Sequence, residues 1–287
     1  MSPPIDEQTA IAAFLDRETI KIDALISEQE KLIALLAEKR QVTISDAVTK
    51  GLNPNAPMMD SGVPWIGEVP AHWAVATLKR YWSITDCKHI TAEFVDDGYP
   101  LASIREVQSR YVSLDAAKRT TRLYYEQLIE GGRQPLPGDL IFSRNATVGE
   151  VAQVEENHPP FAMGQDVCLL RPLSDDSSSD FMQFVIRSSV VVEQLKNMMI
   201  GSTFKRVNVE EIRGLQVPMP PPTEQAQIAA FVVQESDMLD VLERKIERAI
   251  SLFRERRSAL IPAAVTGQID VRQAVAQLAE AEEAIAA

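Results

Sequence analysis

The chain contains two similar segments that are separated by more than a hundred unrelated residues. The first, PPIDEQTAIAAF, begins at Pro3, and the second, PPTEQAQIAAF, begins at Pro221. The similarity continues beyond these words: when the chain is shifted by 217 positions, eighteen residues from Glu7 to Thr49 coincide with identical residues. Both copies also end in an Ala-Val-Thr run with a glycine close behind it. Chance does not readily produce such agreement, so the sequence carries an internal repeat of about fifty residues.

Each copy predicts one long helix. Asp6 or Thr223 can serve as the N-cap after the prolines, and no proline or glycine interrupts either copy before Pro262. Apolar residues recur at intervals of three, four and seven, which is typical of a helix that pairs with another along a narrow seam. A helix of about forty residues is roughly 60 Å long. The predicted seam consists of Ile11, Leu15, Ile22, Leu25, Leu32 and Leu36 in the first copy, and of Ile228, Val232, Leu239, Leu242, Ala249 and Phe253 in the second.

A narrow apolar stripe on so long a helix needs a partner helix. Two matched seams favour pairing with each other, within one chain or between two, over separate packing across the middle of the chain. The predicted organisation is a helix over residues 1–53, a globular domain over 54–220, a second helix over 221–272 and an acidic tail over 273–287.

The middle segment predicts a mixed α+β domain. NPNAP is a linker, and SGVPWIGEVPAHW places Trp65 and Trp73 among turn residues as anchors onto a core. Short apolar runs then alternate with turns, which is typical of short strands. These runs lie at 111–114, 140–142, 148–154, 167–170 and 215–218, and a helix is predicted from Phe181 to Met199, stopped by Gly201.

Composition limits the function. The net charge of −12 argues against a protein that holds DNA by bulk electrostatics, and the lack of a long apolar run or signal pattern predicts a cytoplasmic protein. Cys87 and Cys168 have no CxxC spacing, and the three histidines share no metal-ligand spacing. We find no phosphate loop and no methyltransferase motif. The sequence therefore predicts no catalytic residues, no metal and no cofactor.

Four blocks of sequence resemble a known family: SGVPWIGEVPAHW, LPGDLIFSRNATVGEVA, MGQDVCLLRP and GSTFKRVNVEEIRGLQVPMPPPTEQAQIAAFV. They are similar to the landmarks of the specificity (S) subunit of type I restriction-modification systems. The resemblance implies two target recognition domains, each followed by a long helix, with the helices paired antiparallel as a spacer. It also implies a non-catalytic subunit that reads a split DNA site and binds methyltransferase (M) and nuclease-translocase (R) subunits.

This sequence has two helix copies but one recognition domain, so it resembles a half-sized S subunit. Two such chains would restore two recognition domains about a two-fold axis, which predicts a homodimer and a palindromic, interrupted target. Two alternatives remain open. One is a coiled-coil interaction protein or decoy that captures the methyltransferase without reading DNA. The other is a fragment of an enzyme in which this domain is fused to a methyltransferase.

Candidate DNA-binding residues are side chains that can bond base edges or hold phosphates. The stretch from Arg105 to Arg122 is locally basic, and the turn that begins at Ser143 follows a predicted strand, where it could direct a guanidinium and an amide toward a groove. The predicted set is Arg105, Arg110, Lys118, Arg119, Arg122, Arg144, Asn145, Thr147, Lys205 and Arg206.

Overall fold

The computed structural model describes residues 4–199 and 206–271, in which twelve strands and six helices lie. The helices are α1 (Ile5–Lys50), α2 (Arg122–Ile129), α3 (Ser179–Arg187), α4 (Ser189–Met198), α5 (Val209–Arg213) and α6 (Pro222–Val265). The strands are β1 (Met58–Asp60), β2 (Glu68–Pro70), β3 (Ala74–Thr77), β4 (Trp82–Asp86), β5 (Phe94–Val95), β6 (Tyr99–Ala102), β7 (Arg119–Thr120), β8 (Leu140–Ser143), β9 (Val151–Gln153), β10 (Ala162–Met163), β11 (Val167–Pro172) and β12 (Gln216–Met219). The predicted mixed α+β class is confirmed.

Residue contacts divide the chain into two compact units. The central unit is Arg40–Glu235, and the helical unit joins Met1–Lys39 with Ser236–Ala287. The predicted acidic tail, 273–287, lies outside the described residues. In the part of the chain that the structure describes, no helix combines the length and the apolar character that a membrane crossing requires.

The two long helices follow the repeat. They begin 217 positions apart, at Ile5 and Pro222, so the predicted N-caps lie one residue inside the first turn of each helix. Both are followed by a glycine with a left-handed backbone, Gly51 (φ 71°) and Gly267 (φ 73°). Glycine is favoured there because it has no Cβ to clash with the preceding carbonyl group. The glycine at the end of each repeat thus marks where its helix stops.

Within the helical unit the two helices run antiparallel. Asp23 of α1 pairs with Arg257 of α6 (Oδ1 to Nε, 3.1 Å), and Glu30 pairs with Arg254 (Oε1 to Nη2, 3.2 Å). As the residue number rises along α1, the number of its partner on α6 falls. The apolar cluster that joins the start of α1 to the end of α6 contains Ile11, Phe14, Ala264 and Val271.

The predicted seam is buried only in part. Its buried members are Ile11, Ile22, Ile228, Val232 and Leu239. Its half-buried members are Leu15, Leu36, Ala249 and Phe253. Leu25, Leu32 and Leu242 do not fit the prediction, because their side chains are 41–46% exposed. In the helical unit the helices therefore carry a wider apolar stripe than their contact with each other covers.

The central unit is built around an antiparallel sheet with the strand order β4-β11-β8-β9. A second sheet has the order β10-β6-β7-β5, in which β10 and β6 are parallel, and two short hairpins pair β1 with β2 and β12 with β3. The core contains Trp82, Phe142 and Phe181, all fully buried. Ile44 from the end of α1 and Ile228 from the start of α6 belong to the same cluster. The end of α1 and the start of α6 therefore pack in the core of the central unit.

Two local predictions for the central unit were wrong. The helix predicted from Phe181 to Met199 is interrupted at Ser188, whose hydroxyl and backbone N–H both donate to the carbonyl oxygen of Val185 (2.6 and 3.2 Å). These bonds end α3, and α4 begins at the next residue. The run at 111–114 forms no strand, and instead Tyr111 makes an isolated bridge to Gln153.

The TEQ segment at the start of α6 ties that helix to the rest of the central unit. Glu224 accepts a hydrogen bond from the indole of Trp73 (Nε1 to Oε2, 2.9 Å). Gln225 is 1% exposed, accepts from the backbone of Ser178 and donates to the carbonyls of Asp176 and Pro220. Of the two predicted tryptophan anchors, Trp73 is buried, whereas Trp65 is 44% exposed and does not anchor the core.

Candidate nucleic-acid interface

The turn between β8 and β9 carries three of the predicted DNA-binding residues: Arg144, Asn145 and Thr147. Its backbone is unusual, because Ala146 has a left-handed conformation (φ 56°) that non-glycine residues rarely adopt. The Asn145 side chain accepts a hydrogen bond from the backbone N–H of Ala146 (2.9 Å), and the hydroxyl groups of Ser143 and Thr147 lie 3.1 Å apart. Strained residues of this kind persist where the surroundings over-determine them, and they cluster at functional sites.

Arg144 does not project from this turn as predicted. It is 3% exposed, and its Nη2 lies 2.6 Å from Oδ1 of Asp86 at the end of β4. Its backbone N–H donates to the carbonyl of Asp166, and its own carbonyl accepts from Val207. The sequence could not show this ion pair, because Asp86 comes from a distant strand that only the sheet brings alongside. Arg144 therefore holds the turn in place and does not face solvent.

A second loop lies against the turn. Gln108 donates to the hydroxyl of Thr147 (Nε2 to Oγ1, 3.0 Å) and to the carbonyl of Ile104 (2.6 Å). Its side chain is exposed, as is that of Arg105 in the same loop. The sequence prediction missed Gln108, although its amide is the type of side chain suited to adenine.

A third segment completes the surface. Arg206 forms an isolated antiparallel bridge with Asn145, and its Nη2 lies 3.5 Å from Oδ1 of Asp166. Asp166 is the second non-glycine residue with a left-handed backbone (φ 64°) in the described ranges. Lys205, the neighbouring predicted residue, lies outside the described residues. We define the recognition surface as Arg105, Gln108, Asn145, Thr147 and Arg206.

The other predicted cations have different partners in the central unit. Arg110 faces α3, where it pairs with Asp180 (3.1 Å) and lies 5.1 Å from the centroid of the Tyr111 ring. Arg119 donates to the carbonyl of Gly98 (3.0 Å). Arg122 pairs with Glu126 along α2, and Lys118 lies over the ring of Phe94. The basic stretch from Arg105 to Arg122 is thus not one continuous face.

Four of the predicted cations pair with carboxylates, as Arg110–Asp180, Arg122–Glu126, Arg144–Asp86 and Arg206–Asp166. Arg105, Lys118 and Arg119 form no ion pair with any residue that the structure describes. Of the seven predicted cations in the described ranges, these three are left for phosphate groups, in a chain whose net charge is −12.

Two side chains on α3 support the loop that carries Gln108. Arg187 donates through Nη2 to the carbonyls of Ser109 (2.7 Å) and Val151 (2.8 Å). Gln183 is 1% exposed and donates to the carbonyls of Arg110 (2.5 Å) and Val151 (3.1 Å). Burial lowers the pKa of the Arg187 guanidinium. The Glu150 carboxylate, 3.6 Å away, raises this pKa and partly offsets the effect of burial. These two supports were not predicted, because their partners are backbone carbonyls of segments far away in the sequence.

Among the described residues, Asp86, Cys87 and His89 bring possible metal-ligand atoms within 4.8 Å of one another. The Asp86 carboxylate is already paired with Arg144. Burial raises the pKa of the Cys87 thiol, and the charge on Asp86 raises it further, so the thiolate that a metal needs is disfavoured. A guanidinium next to the carboxylate also repels a cation. This cluster is a poor metal site.

Comparison with known proteins identifies relatives for most of the chain. The family model described as "Type I restriction modification DNA specificity domain" matches residues 107–251. The specificity subunit of the type I restriction enzyme MjaVIII from Methanocaldococcus jannaschii is 22% identical over 94% of this chain and 62% of its own length. The EcoKI specificity subunit from Escherichia coli is 22% identical over 93% of this chain and 57% of its own length. The chain thus spans about three fifths of the length of these two relatives.

Two solved structures have a similar fold. One comes from work described as the structural basis of complex assembly and conformational transition of the type I R-M system. It has a TM-score of 0.66 at 16% identity, and the match covers 92% of this chain and 60% of that chain. The crystal structure of the HsdS subunit from Thermoanaerobacter tengcongensis has a TM-score of 0.50 at 16% identity, with 93% and 60% covered. At this identity the likeness concerns the fold alone.

Proposed function

Because this chain belongs to the family of type I restriction-modification DNA specificity domains, we propose that it is a DNA-recognition and scaffolding subunit of a type I restriction-modification complex. In this role it directs adenine methylation and cleavage by partner subunits to a bipartite site in cytoplasmic DNA. Family membership confirms the resemblance that the sequence motifs indicate, and with it the prediction of a non-catalytic specificity subunit. The family match over residues 107–251 is the observation that carries the proposal.

The central unit supplies the target recognition domain, for which we retain the boundaries 54–220. Sequence is read by side chains that offer paired hydrogen bonds to base edges, and the recognition surface contains two amides for this purpose, Gln108 and Asn145. Arg206 can pair with guanine if Asp166 releases it, and Arg105 can hold a phosphate. The matched region includes every member of the recognition surface except Arg105.

Partner subunits supply the charge that this chain lacks. Affinity for duplex DNA comes largely from phosphate neutralisation, and four of the seven predicted cations that the structure describes are already paired with carboxylates. We expect methyltransferase subunits, and nuclease-translocase subunits with them, to add the missing contacts. The isolated chain then binds DNA weakly and with a steep dependence on salt, whereas its complex with the methyltransferase binds with sequence preference.

The long helices act as a coiled-coil spacer and as the interface of a homodimer. Leu32 and Leu242 line an apolar groove of about 290 Å³ in the helical unit, and their side chains are 41% and 45% exposed. A second copy of the same pair can cover these leucines in an isologous contact, which places two recognition domains about a two-fold axis. Such a dimer reads an interrupted palindrome.

The recognition role is tested by fluorescence anisotropy on duplex DNA, with the chain alone and with its methyltransferase partner. Asn145→Ala removes one amide of the recognition surface, and Asn55→Ala, which removes an exposed amide from the linker, is the matched control. One bidentate base contact is worth about 1–3 kcal/mol, so we expect about a 5- to 150-fold loss of sequence preference in the complex for Asn145→Ala alone. Tight, specific binding by the isolated chain at physiological salt would contradict the proposal. A methyltransferase complex without any sequence preference would favour the decoy alternative.

The homodimer is tested separately by light scattering. Leu32→Glu places a charge in the apolar groove. The control, Leu173→Glu, places a charge at a 59% exposed leucine of the central unit that does not line the groove. We expect the first substitution to shift a dimer to monomers at micromolar concentration and the second to leave it intact. A wild-type chain that is a strict monomer removes the homodimer and leaves the recognition role standing.

A further inference from the structure

A cavity of about 750 Å³ lies in the central unit, next to the loops that carry the recognition surface. Its floor is apolar and is formed by Leu101, Leu128 and Met163, all of them buried. Its size is that of a site for a small organic ligand. Residues of the 90–94 and 163–166 segments also line it.

The 163–166 segment is close to the 103–106 loop because of a glycine. A Cβ atom at Gly164 would lie 2.0 Å from Oγ of Ser103, so any other residue there requires the Ser103 side chain to move. The backbone N–H of Gly164 also donates to the carbonyl of Ala102 (2.8 Å). These contacts bring Ser103 and Gln165 to the edge of the cavity, where both offer hydrogen bonds above the apolar floor.

The rim of the cavity carries an aromatic ring and two cations. Phe94 is 56% exposed, and Nζ of Lys118 lies 4.4 Å from the centroid of its ring. Arg105 and Lys118 both line the cavity. An exposed ring offers a stacking face for a nucleobase, and the two cations can neutralise a phosphate group. Apolar floor, stacking ring, hydrogen-bonding edge and cationic rim together match the parts of one nucleotide.

We propose that this cavity is a nucleotide-binding site that stacks a single nucleobase against Phe94 and holds its phosphate with Arg105 and Lys118. The proposal deepens the proposed function, because Arg105 belongs to both the cavity and the recognition surface. Asp166 also lines the cavity and pairs with Arg206 of that surface. The nucleotide is either a base turned out of the bound duplex or a free mononucleotide. A base at a mismatch or an unpaired end turns out of a duplex at the lowest cost.

Photocrosslinking with 5-iodouracil tests the site, because excited iodouracil forms a bond to an aromatic ring that stacks on it. The isolated chain is irradiated with 5-iodo-dUMP, and separately with a duplex that carries an unpaired 5-iodouracil, and the crosslinked peptide is identified by mass spectrometry. We expect a crosslink at Phe94 with at least one of the two probes. The probe that gives it distinguishes a free nucleotide from an extrahelical base.

Two variants and a control complete the test. Ala116→Trp fills the cavity from an exposed rim position, and Phe94→Ala removes the stacking ring. Leu123→Ala removes a 62% exposed apolar side chain that does not line the cavity. Loss of one stacked base weakens binding about 5- to 150-fold, so we expect that loss of 5-iodo-dUMP affinity in both cavity variants and none in the control.

Thermal melts first establish that every variant is folded. A Phe94 crosslink that disappears in Ala116→Trp supports the site. No crosslink at Phe94 with either probe, or equal nucleotide affinity in all variants, overturns it. Sequence-selective DNA binding that survives Ala116→Trp unchanged overturns the extrahelical base while leaving the proposed function intact. Free nucleotide binding without any selective DNA binding supports the cavity and counts against the proposed function.

Discussion

The ion pair between Asp86 and Arg144 gives the sharpest prediction about the recognition surface. Asp86→Ala removes the carboxylate and leaves a guanidinium that is 4% exposed in its side chain without its partner. A buried charge without a partner is destabilising because it has lost its water shell and gained nothing in return. We expect Asp86→Ala to lower the free energy of unfolding and to loosen the turn that carries Asn145.

The magnitude follows from burial on the two sides of the pair. Breaking a fully buried ion pair costs about 3–5 kcal/mol. The Asp86 side chain is 33% exposed, so water can approach the guanidinium once the carboxylate is gone, and we reduce the expectation to about 2–4 kcal/mol. The double variant Asp86→Ala/Arg144→Met replaces the pair with apolar groups, and we expect it to recover at least half of the loss.

The assay is urea unfolding followed by tryptophan fluorescence, combined with DNA binding by the methyltransferase complex. Glu126→Ala is the control, because it removes the partner of Arg122 in an exposed ion pair, and such pairs contribute little to stability. A positioning role predicts that the double variant regains stability but not the full sequence preference, since a methionine cannot orient the turn as the ion pair does. A loss below about 1 kcal/mol for Asp86→Ala would refute the reasoning.

Two further predictions concern the core of the central unit. Burial raises the pKa of both Cys87 and Cys168, so both thiols stay protonated in the fold, and we expect slow alkylation by iodoacetamide at pH 8 that becomes fast in urea. Rapid alkylation of the folded chain would contradict the raised pKa of these thiols. Because the unfolded chain releases these protons first, the free energy of unfolding falls as the pH rises above the ordinary pKa of cysteine. Gln225→Ala breaks three hydrogen bonds of a buried amide, so urea melts should show a loss of about 2–3 kcal/mol. The exposed Gln227→Ala should change little, and equal effects of the two substitutions would refute this role.

The sequence predicted the helical framework well because a repeat is a local signal. The 217-position shift agrees with the starts of both helices, and the glycine behind each copy lies just after the end of its helix. The break at Ser188 escaped prediction, since the apolar pattern continues through it and only the hydrogen bonds to Val185 reveal the end of α3. Leu25 shows the limit of a periodic pattern, which identifies an apolar face but not what covers it.

The candidate site could be predicted only in outline, because it is assembled from segments far apart in the sequence. The turn after β8 was located correctly, but the direction of Arg144 depends on Asp86, which lies 58 positions earlier. Gln108 became a candidate only through its contact with Thr147. Arg110 and Arg122 satisfied the composition of a basic stretch, yet each is paired with a carboxylate. Local composition cannot distinguish a cation that faces DNA from one that faces an acid.

The proposed function requires that this chain selects the adenines that its methyltransferase partner modifies. Genome-wide mapping of methylated adenines, in cells with the gene and in matched cells from which it is deleted, tests this claim most directly. We expect one interrupted motif to lose its methylation in the deletion, with its two halves forming an inverted repeat if the chain acts as a homodimer. A deletion strain that retains every methylated motif of its parent would contradict the claim.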